Sequence, residues 1–355
     1  MERARWMGTI AALVLVLNAG SCPAETGPRR MTLPTENIAK ETYLIGEPGQ
    51  FTIAISYQYE ILEDARLGPD YYPNVENMFT SSNVLAFEAM YGVSKNISVS
   101  VLVPFESIQN TSIADSTVVL GLADESPRFF NFQQGTRGLG DIIVMTYFRA
   151  NFGNLMRFGD EYYPSSADDY DNYFDAEPKM YAGKRQGPVL ALALGLRLPT
   201  GKNEALDMFG RRIPDDLQLG TGTMDPIVGL LFFQRAYRLG WGLSGLFRIS
   251  SQENVYHYEW GHEFVASGYI SYRLTKKLEW INHFNFTFLG RDKKDGYPVT
   301  NRGARLLMFA PSLMYDTGSR VSLQATAQIP VYRDFNELQL SSDYIINLRT
   351  SYAFD

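Results

Sequence analysis

The chain has 355 residues and a net charge of −7, from 32 Lys+Arg against 39 Asp+Glu, and 45% of it is apolar. The acidic balance (pI about 5.2) excludes a nucleic-acid binder, which needs a basic face, and the apolar content excludes a disordered chain. A single Cys rules out a disulfide framework, and with only three His a structural zinc site is excluded too.

At the N-terminus, Arg3 and Arg5 precede an apolar run over 9–17 and then the small residues Ala19, Gly20, Ser21 and Ala24. The run is shorter than the roughly 20 residues a spanning helix requires. The pattern predicts a secretory signal peptide over 1–24, followed by a periplasmic segment over 25–48. Cleavage before Cys22 or before Glu25 both satisfy the small-residue rule, and the first would present Cys22 for lipidation.

From residue 49 onward the apolar period is two, the period of a strand. Twelve segments show it, near 50–60, 83–93, 97–106, 139–150, 188–198, 223–235, 241–251, 263–274, 277–289, 305–316, 320–333 and 341–354. Each is about 10–14 residues long, the length of a tilted membrane-crossing strand and longer than the usual 5–6 residues of a soluble sheet. One face of these segments is apolar and aromatic, as in Phe51, Ile53 and Ile55, or Trp280, Phe284 and Phe288. In this register no charged residue falls on that face. The other face carries eight acidic and six basic residues, among them Glu60, Glu106, Arg235, Glu263 and Asp343.

Lipid cannot solvate charge, and only a closed sheet leaves no unpaired backbone within it. The expected fold is therefore all-β, a transmembrane antiparallel β-barrel of about 12 strands spanning 49–355, in an outer membrane. Connections alternate between short links (94–96, 236–240, 275–276, 317–319) and longer ones (61–82, 107–138, 199–222, 252–262, 290–304). With short turns inside, both termini are expected in the periplasm. The acidic stretch 151–187 breaks the alternation: it is either a long insertion or a hidden hairpin that would raise the count to 14.

Pro104, Pro199 and Pro330 are expected at the outer ends of ascending strands, where pairing stops. The C-terminal strand ends in Phe354 followed by Asp355. Such a strand is expected to engage the barrel-assembly machinery, and the barrel as a whole to contact outer-membrane lipid and lipopolysaccharide.

Three strings carry a resemblance: Gly138-Leu-Gly-Asp141, Leu196-Arg-Leu-Pro-Thr-Gly-Lys202 and Leu219-Gly-Thr-Gly-Thr-Met-Asp-Pro226. In order and spacing they resemble the bacterial outer-membrane family of phenol-degradation (meta-pathway) transporters, over roughly residues 45–355. The resemblance implies an outer-membrane barrel that passes small organic molecules, and the stretch 151–187 departs from it.

Enzymatic chemistry finds no support in the residues. A barrel hydrolase would place a Ser two residues from a His on one strand face. Here Glu259, Phe264 and Asn285 lie two residues after His257, His262 and His283, and no Ser lies two residues before any of them. The acidic cluster 168–175 lacks the Gly and terminal Glu of a calcium loop. Gly138-x-Gly140 precedes a strand, so it marks a turn and no nucleotide site. Neither metal nor cofactor is expected.

The candidate selectivity residues are the lumenal charges Arg149, Arg197, Arg248 and Arg349 with Glu88, Asp141, Asp225 and Glu279. They either form a charged constriction or pair across the barrel as a polar plug. The candidate solute-capture residues are the loop aromatics Tyr71, Tyr72, Phe129, Phe130, Tyr256, Tyr258 and Trp260. The expected function is passage of small, aromatic or hydrophobic organic molecules. The alternative is a structural or surface-interaction barrel with a plugged lumen.

Overall fold

The computed structural model describes residues 48–74, 78–115, 129–151, 185–207, 210–236, 238–250, 252–318 and 320–354, with backbone alone for 112–115, 129–133, 151, 185–187 and 236. The expected signal peptide over 1–24, the expected periplasmic segment up to residue 47, Cys22 and the acidic cluster 168–175 lie outside the described residues.

The sheet contains β1 (Phe51–Gly68), β2 (Phe79–Ser94), β3 (Ile97–Asp115), β4 in two pieces (Phe129–Leu139 and Ile142–Asn151) and β5 (Arg185–Leu198). It continues with β6 (Asp225–Ala236), β7 (Leu239–Arg248), β8 (Glu263–Arg273), β9 (Leu278–Leu289), β10 (Ala304–Asp316) and a 34-residue run, Val321–Phe354. Each strand pairs antiparallel with the next, and the final run pairs with β1, so the sheet closes into a barrel.

The final run is two crossings. Its residues 322–335 pair antiparallel with β10 and its residues 335–354 pair antiparallel with β1. Those two neighbours run in opposite directions, so the chain must reverse, and it does so at Glu337, whose φ is 64°. The arms, β11 (321–336) and β12 (338–354), meet through Ala353 N–H donating to the Arg320 carbonyl and through the Ser322 and Ser351 hydroxyls 2.6 Å apart. Phe51 lies opposite Phe354, so both ends of the barrel chain share one rim and the number of crossings is even. Twelve crossings result.

Among the described residues no further hairpin lies between β4 and β5 at 151–187. The second piece of β4 pairs directly with β5, from Ile142 opposite Leu198 to Asn151 opposite Val189. The stretch is thus a connection from one turn-end strand end to another, and residues 152–184 lie outside the described residues.

Exposure follows strand parity as expected: Phe51, Ile53 and Ile55 are exposed while Thr52, Ala54 and Ser56 are buried. The outward rows are aromatic, with Phe232 against Trp241 at 5.1 Å and Tyr352 against Phe354 at 4.5 Å between ring centroids. Within the twelve expected segments, one charged residue does fall on the outer face, contrary to expectation. Arg305, at the loop end of β10, is exposed and pairs with Asp334 across the strands at 3.4 Å. The rim position explains it, because a guanidinium there reaches headgroups and water.

Two of the expected loops are largely strand. β1 extends to Gly68, β3 to Asp115, and the first piece of β4 starts at Phe129. These extensions carry Glu63, Asp64, Arg66, Gln109 and Asn110, so the clean alternation fades there: the strands continue beyond the lipid, where neither face must be apolar.

Pro199 follows the end of β5, but Pro104 and Pro330 lie inside strands. Pro104 faces the break in β4, its carbonyl accepting from Gly140 N–H at 2.9 Å. In an antiparallel ladder the N–H and C=O of one residue point to the same neighbour. The missing proline N–H therefore falls where β4 is already interrupted. Pro330 lies opposite a register shift between Leu307 and Met308, a second place where a ladder donor is dispensable.

Candidate functional site

The inner face has two kinds of wall. From β2 to β8 it carries a buried apolar cluster that includes Val84, Leu102, Ile143, Leu231, Leu246 and Val265. From β8 onward it is lined by hydroxyls and amides that bond along the wall. Ser267 donates to Asn285 Oδ1 at 2.6 Å, Gln324 Nε2 to Ser312 Oγ at 2.8 Å, and Thr326 Oγ1 to Ser312 Oγ at 3.0 Å. His283 lies on this face beside Asn285 and Glu279, as expected, and all three are buried. The apolar lumen was missed in the sequence. Its signal is present at inner parity, in Ile143, Met145 and Tyr147 or Leu231 and Phe233, where apolar residues interleave with inward charges on the same strands.

At the loop end of the barrel, Asp141 gathers the three strings singled out in the sequence. Its Oδ1 accepts from Gly201 N–H at 3.0 Å, and its Oδ2 accepts from Thr221 N–H and Oγ1, each at 2.8 Å. Arg197 Nε donates to the same Oδ2 at 3.1 Å. The break in β4 turns Asp141 inward, and Thr200 Oγ1 bonds both sides of the break, donating to the Gly140 carbonyl and accepting from Ile142 N–H.

The two glycine-bearing strings cross backbone to backbone. A Cβ on Gly201 would lie 2.7 Å from Gly220 Cα, and one on Gly220 would lie 2.2 Å from the Gly201 carbonyl oxygen. Only glycine permits that approach. It lets Leu219 and Gly220 N–H both donate to the Lys202 carbonyl at 3.0 Å.

A second ionic group lies next to the first. Asp225 is held by Thr223 Oγ1 at 3.0 Å and by Arg248 Nη1 at 2.8 Å, and Arg248 Nε also bonds Glu263 Oε2 at 3.0 Å. Both side chains of each Arg248 pair are 0% exposed. Toward the turn end, Arg235 pairs with Glu279 and Arg349 with Glu88, the latter at 2.9 Å. Arg197, Arg248 and Arg349 with Glu88, Asp141, Asp225 and Glu279 therefore fall into ion pairs. Arg149 lies at the turn end of β4, its backbone N–H donating to the Asn96 carbonyl at 2.7 Å.

The loops at this end form a cap. Residues 199–224 fold inward, burying Ala205, Ile213, Leu217 and Leu219 against Ile108 of the barrel wall, and Thr136 Oγ1 bonds the Leu217 carbonyl. Arg302 from the 290–303 connection reaches Asp216 at 3.0 Å and Asp292 at 3.7 Å. Burial pushes the Asp216 carboxyl above the usual carboxylate range, outweighing the opposing pull of Arg302. Burial likewise pushes the Tyr258 hydroxyl up, with the Asp292 charge adding to it, and Tyr258 donates to Asp292 Oδ2 at 2.6 Å.

The loop aromatics do not form one capture surface. Tyr71 (61% exposed) and Tyr72 are open to solvent, whereas Tyr258 and Trp260 (4%) are buried inside the cap. Trp260 Nε1 donates to the Thr221 carbonyl at 3.4 Å, and Tyr256 lies under the Arg212 guanidinium at 3.8 Å. Their polar tips join loops together, which an exposed capture residue would not do. The side chains of Phe129 and Phe130 lie outside the described residues. Among the described residues no group of three or more His, Cys, Asp or Glu is placed to hold a metal.

A closed antiparallel barrel with an apolar, aromatic outer face and its charges turned inward into ion pairs defines an outer-membrane β-barrel. The chain belongs to the family described as "Putative MetA-pathway of phenol degradation", whose model matches residues 80–334. Among solved structures, an outer membrane channel from Pseudomonas putida F1 aligns with 87% of this chain and 97% of its own, at 14% identity and TM-score 0.59. That likeness shows the barrel fold. A Pseudomonas aeruginosa FadL homologue aligns at TM-score 0.39 and 9% identity over 94% of this chain and 99% of its own. The toluene transporter TodX of P. putida has the same score and identity over 89% and 92%. No curated protein matches the chain.

Proposed function

We propose that the protein is an outer-membrane channel for small organic molecules with an apolar or aromatic body. Its short turns and both ends of its barrel chain would face the periplasm. The observation that carries this is the buried apolar cluster on the lumenal face, between ionic groups at either end. A polar sieve for ions and sugars has no use for Leu231, Leu246 and Val265 inside the barrel. The family description, which concerns phenol degradation, supports the same substrate class. The reading includes no catalysis: the buried charges are engaged with one another.

The test is solute uptake by liposomes containing the refolded protein, beside planar-bilayer recording. Uptake of small aromatics and discrete conductance are expected, with a shift of ion selectivity in Arg197→Glu. No uptake and no conductance would defeat the channel. The second reading, a barrel with a plugged lumen, draws on the inward-folded 199–224 loop and the extent of ion pairing. It predicts that closed result.

A further inference from the structure

On the inner face of β2, β3 and β4, just below the cap, four polar side chains lie together. Thr80 is opposite Asn110 and Asn110 opposite Gln134 in one row, and Ser82 lies in the next row opposite Ile108. Thr80, Ser82 and Asn110 are at most 2% exposed. The Asn110 amide nitrogen and oxygen, the Thr80 and Ser82 hydroxyls and Gln134 Oε1 have no hydrogen-bond partner among the described residues. Single buried hydroxyls without a partner among the described residues also occur elsewhere, as at Ser244, but here four such side chains lie together on three neighbouring strands. Burying such groups unpaired is costly, and each row could have been apolar, as the neighbouring Ile108, Leu217 and Leu219 are.

We infer that this patch is a subsite for an uncharged organic molecule carrying a hydroxyl or amide on an apolar body. The inference rests on the channel reading and names a stop along its path. Asn110 offers a donor and an acceptor side by side, so it can pair with a group that both gives and takes a hydrogen bond. Ile108 and the buried leucines of the cap supply the apolar contact. An anionic head is disfavoured, because the charged residues sharing this part of the inner face are Glu60, opposite Ser82, and Glu106. Access requires the 199–224 loop to lift, since Leu217 packs with Ile108, the residue opposite Ser82, and its carbonyl accepts from Thr136, two residues from Gln134.

Binding of phenol, toluene and benzoate to the full-length protein in nanodiscs, measured by calorimetry against empty nanodiscs, tests the assignment. Phenol is expected to bind at least tenfold tighter than toluene, which has the same ring without the hydroxyl, and tighter than benzoate. Asn110→Leu and Thr80→Val are expected to abolish that preference while leaving toluene unchanged. Both variants should unfold at the same or a higher denaturant concentration, because no protein hydrogen bond is lost. Equal binding of phenol and toluene, or a preference that survives Asn110→Leu, would mean that water alone satisfies the patch and would overturn the subsite. Liposome uptake separates the two readings. Uptake with no hydroxyl preference defeats the subsite and spares the channel, whereas hydroxyl-selective binding without uptake defeats the channel alone.

Discussion

Arg248 and Glu263 face each other on neighbouring strands, and the guanidinium Nε bonds the carboxylate at 3.0 Å with neither side chain touching solvent. Asp225 closes the group from the other side at 2.8 Å. Removing the cation leaves two buried carboxylates close together, so Arg248→Met is expected to cost about 3–5 kcal/mol. Urea unfolding of the refolded protein measures it. Adding Asp225→Asn and Glu263→Gln should restore most of the loss. A single substitution costing under about 1 kcal/mol would show that the group is hydrated.

Asp141→Asn tests the loop anchorage. The amide keeps an acceptor but loses its charge and turns an NH₂ toward donors, weakening four contacts at once. A local loss of about 2 kcal/mol corresponds to roughly thirtyfold faster hydrogen exchange at the Gly201 and Thr221 amides. Unchanged exchange there would remove Asp141 from that role. Gly220→Ala should loosen the same loop, because its Cβ would meet the Gly201 carbonyl.

Leu246 is fully buried on the lumenal face. If the apolar cluster is packed, Leu246→Ala costs about 2–5 kcal/mol through lost contacts and a cavity. Under the channel reading it also speeds uptake of apolar solutes by widening the path. A negligible stability change would mean that water already lines this part of the wall.

The cap should loosen as pH rises. The Asp216 carboxyl titrates above its unfolded value because it is buried, so the folded cap holds the proton more tightly than the unfolded chain does. Its stabilising contribution is full below the ordinary carboxylate range and is lost as pH climbs through the raised value. Hydrogen exchange at Leu217 and Leu219, corrected for intrinsic rates, should show protection falling over that window in the wild type. Asp216→Asn should give a flat profile, and the same fall in both proteins would contradict the assignment.

Much of the barrel was legible along the chain, and the reason is lipid. A membrane forbids charge on one strand face and leaves the other free, so parity alone sorts Phe51, Ile53 and Ile55 from Thr52, Ala54 and Ser56. Strand extensions beyond the bilayer escape that rule, which is why 61–68 and 107–115 were unreadable as strand. The inward charges were legible as well, since their positions follow from the same parity.

Their partners were not. Arg349 reaches Glu88 from 261 residues away, and Asp141 meets Gly201 and Thr221 at separations of 60 and 80. Nothing in a local pattern encodes such distances. The sequence by itself determined a closed antiparallel barrel of about twelve crossings and, within them, most of the residues that face inward, because alternation is imposed residue by residue by the surrounding lipid; the direct pairing of β4 with β5 decided twelve against fourteen. Only the tertiary structure decided that Tyr258 and Trp260 are cap residues, that Asp141 ties three strings together and that the Asn110 amide has no hydrogen-bond partner among the described residues. Those outcomes depend on which strands and loops closure of the barrel brings into contact.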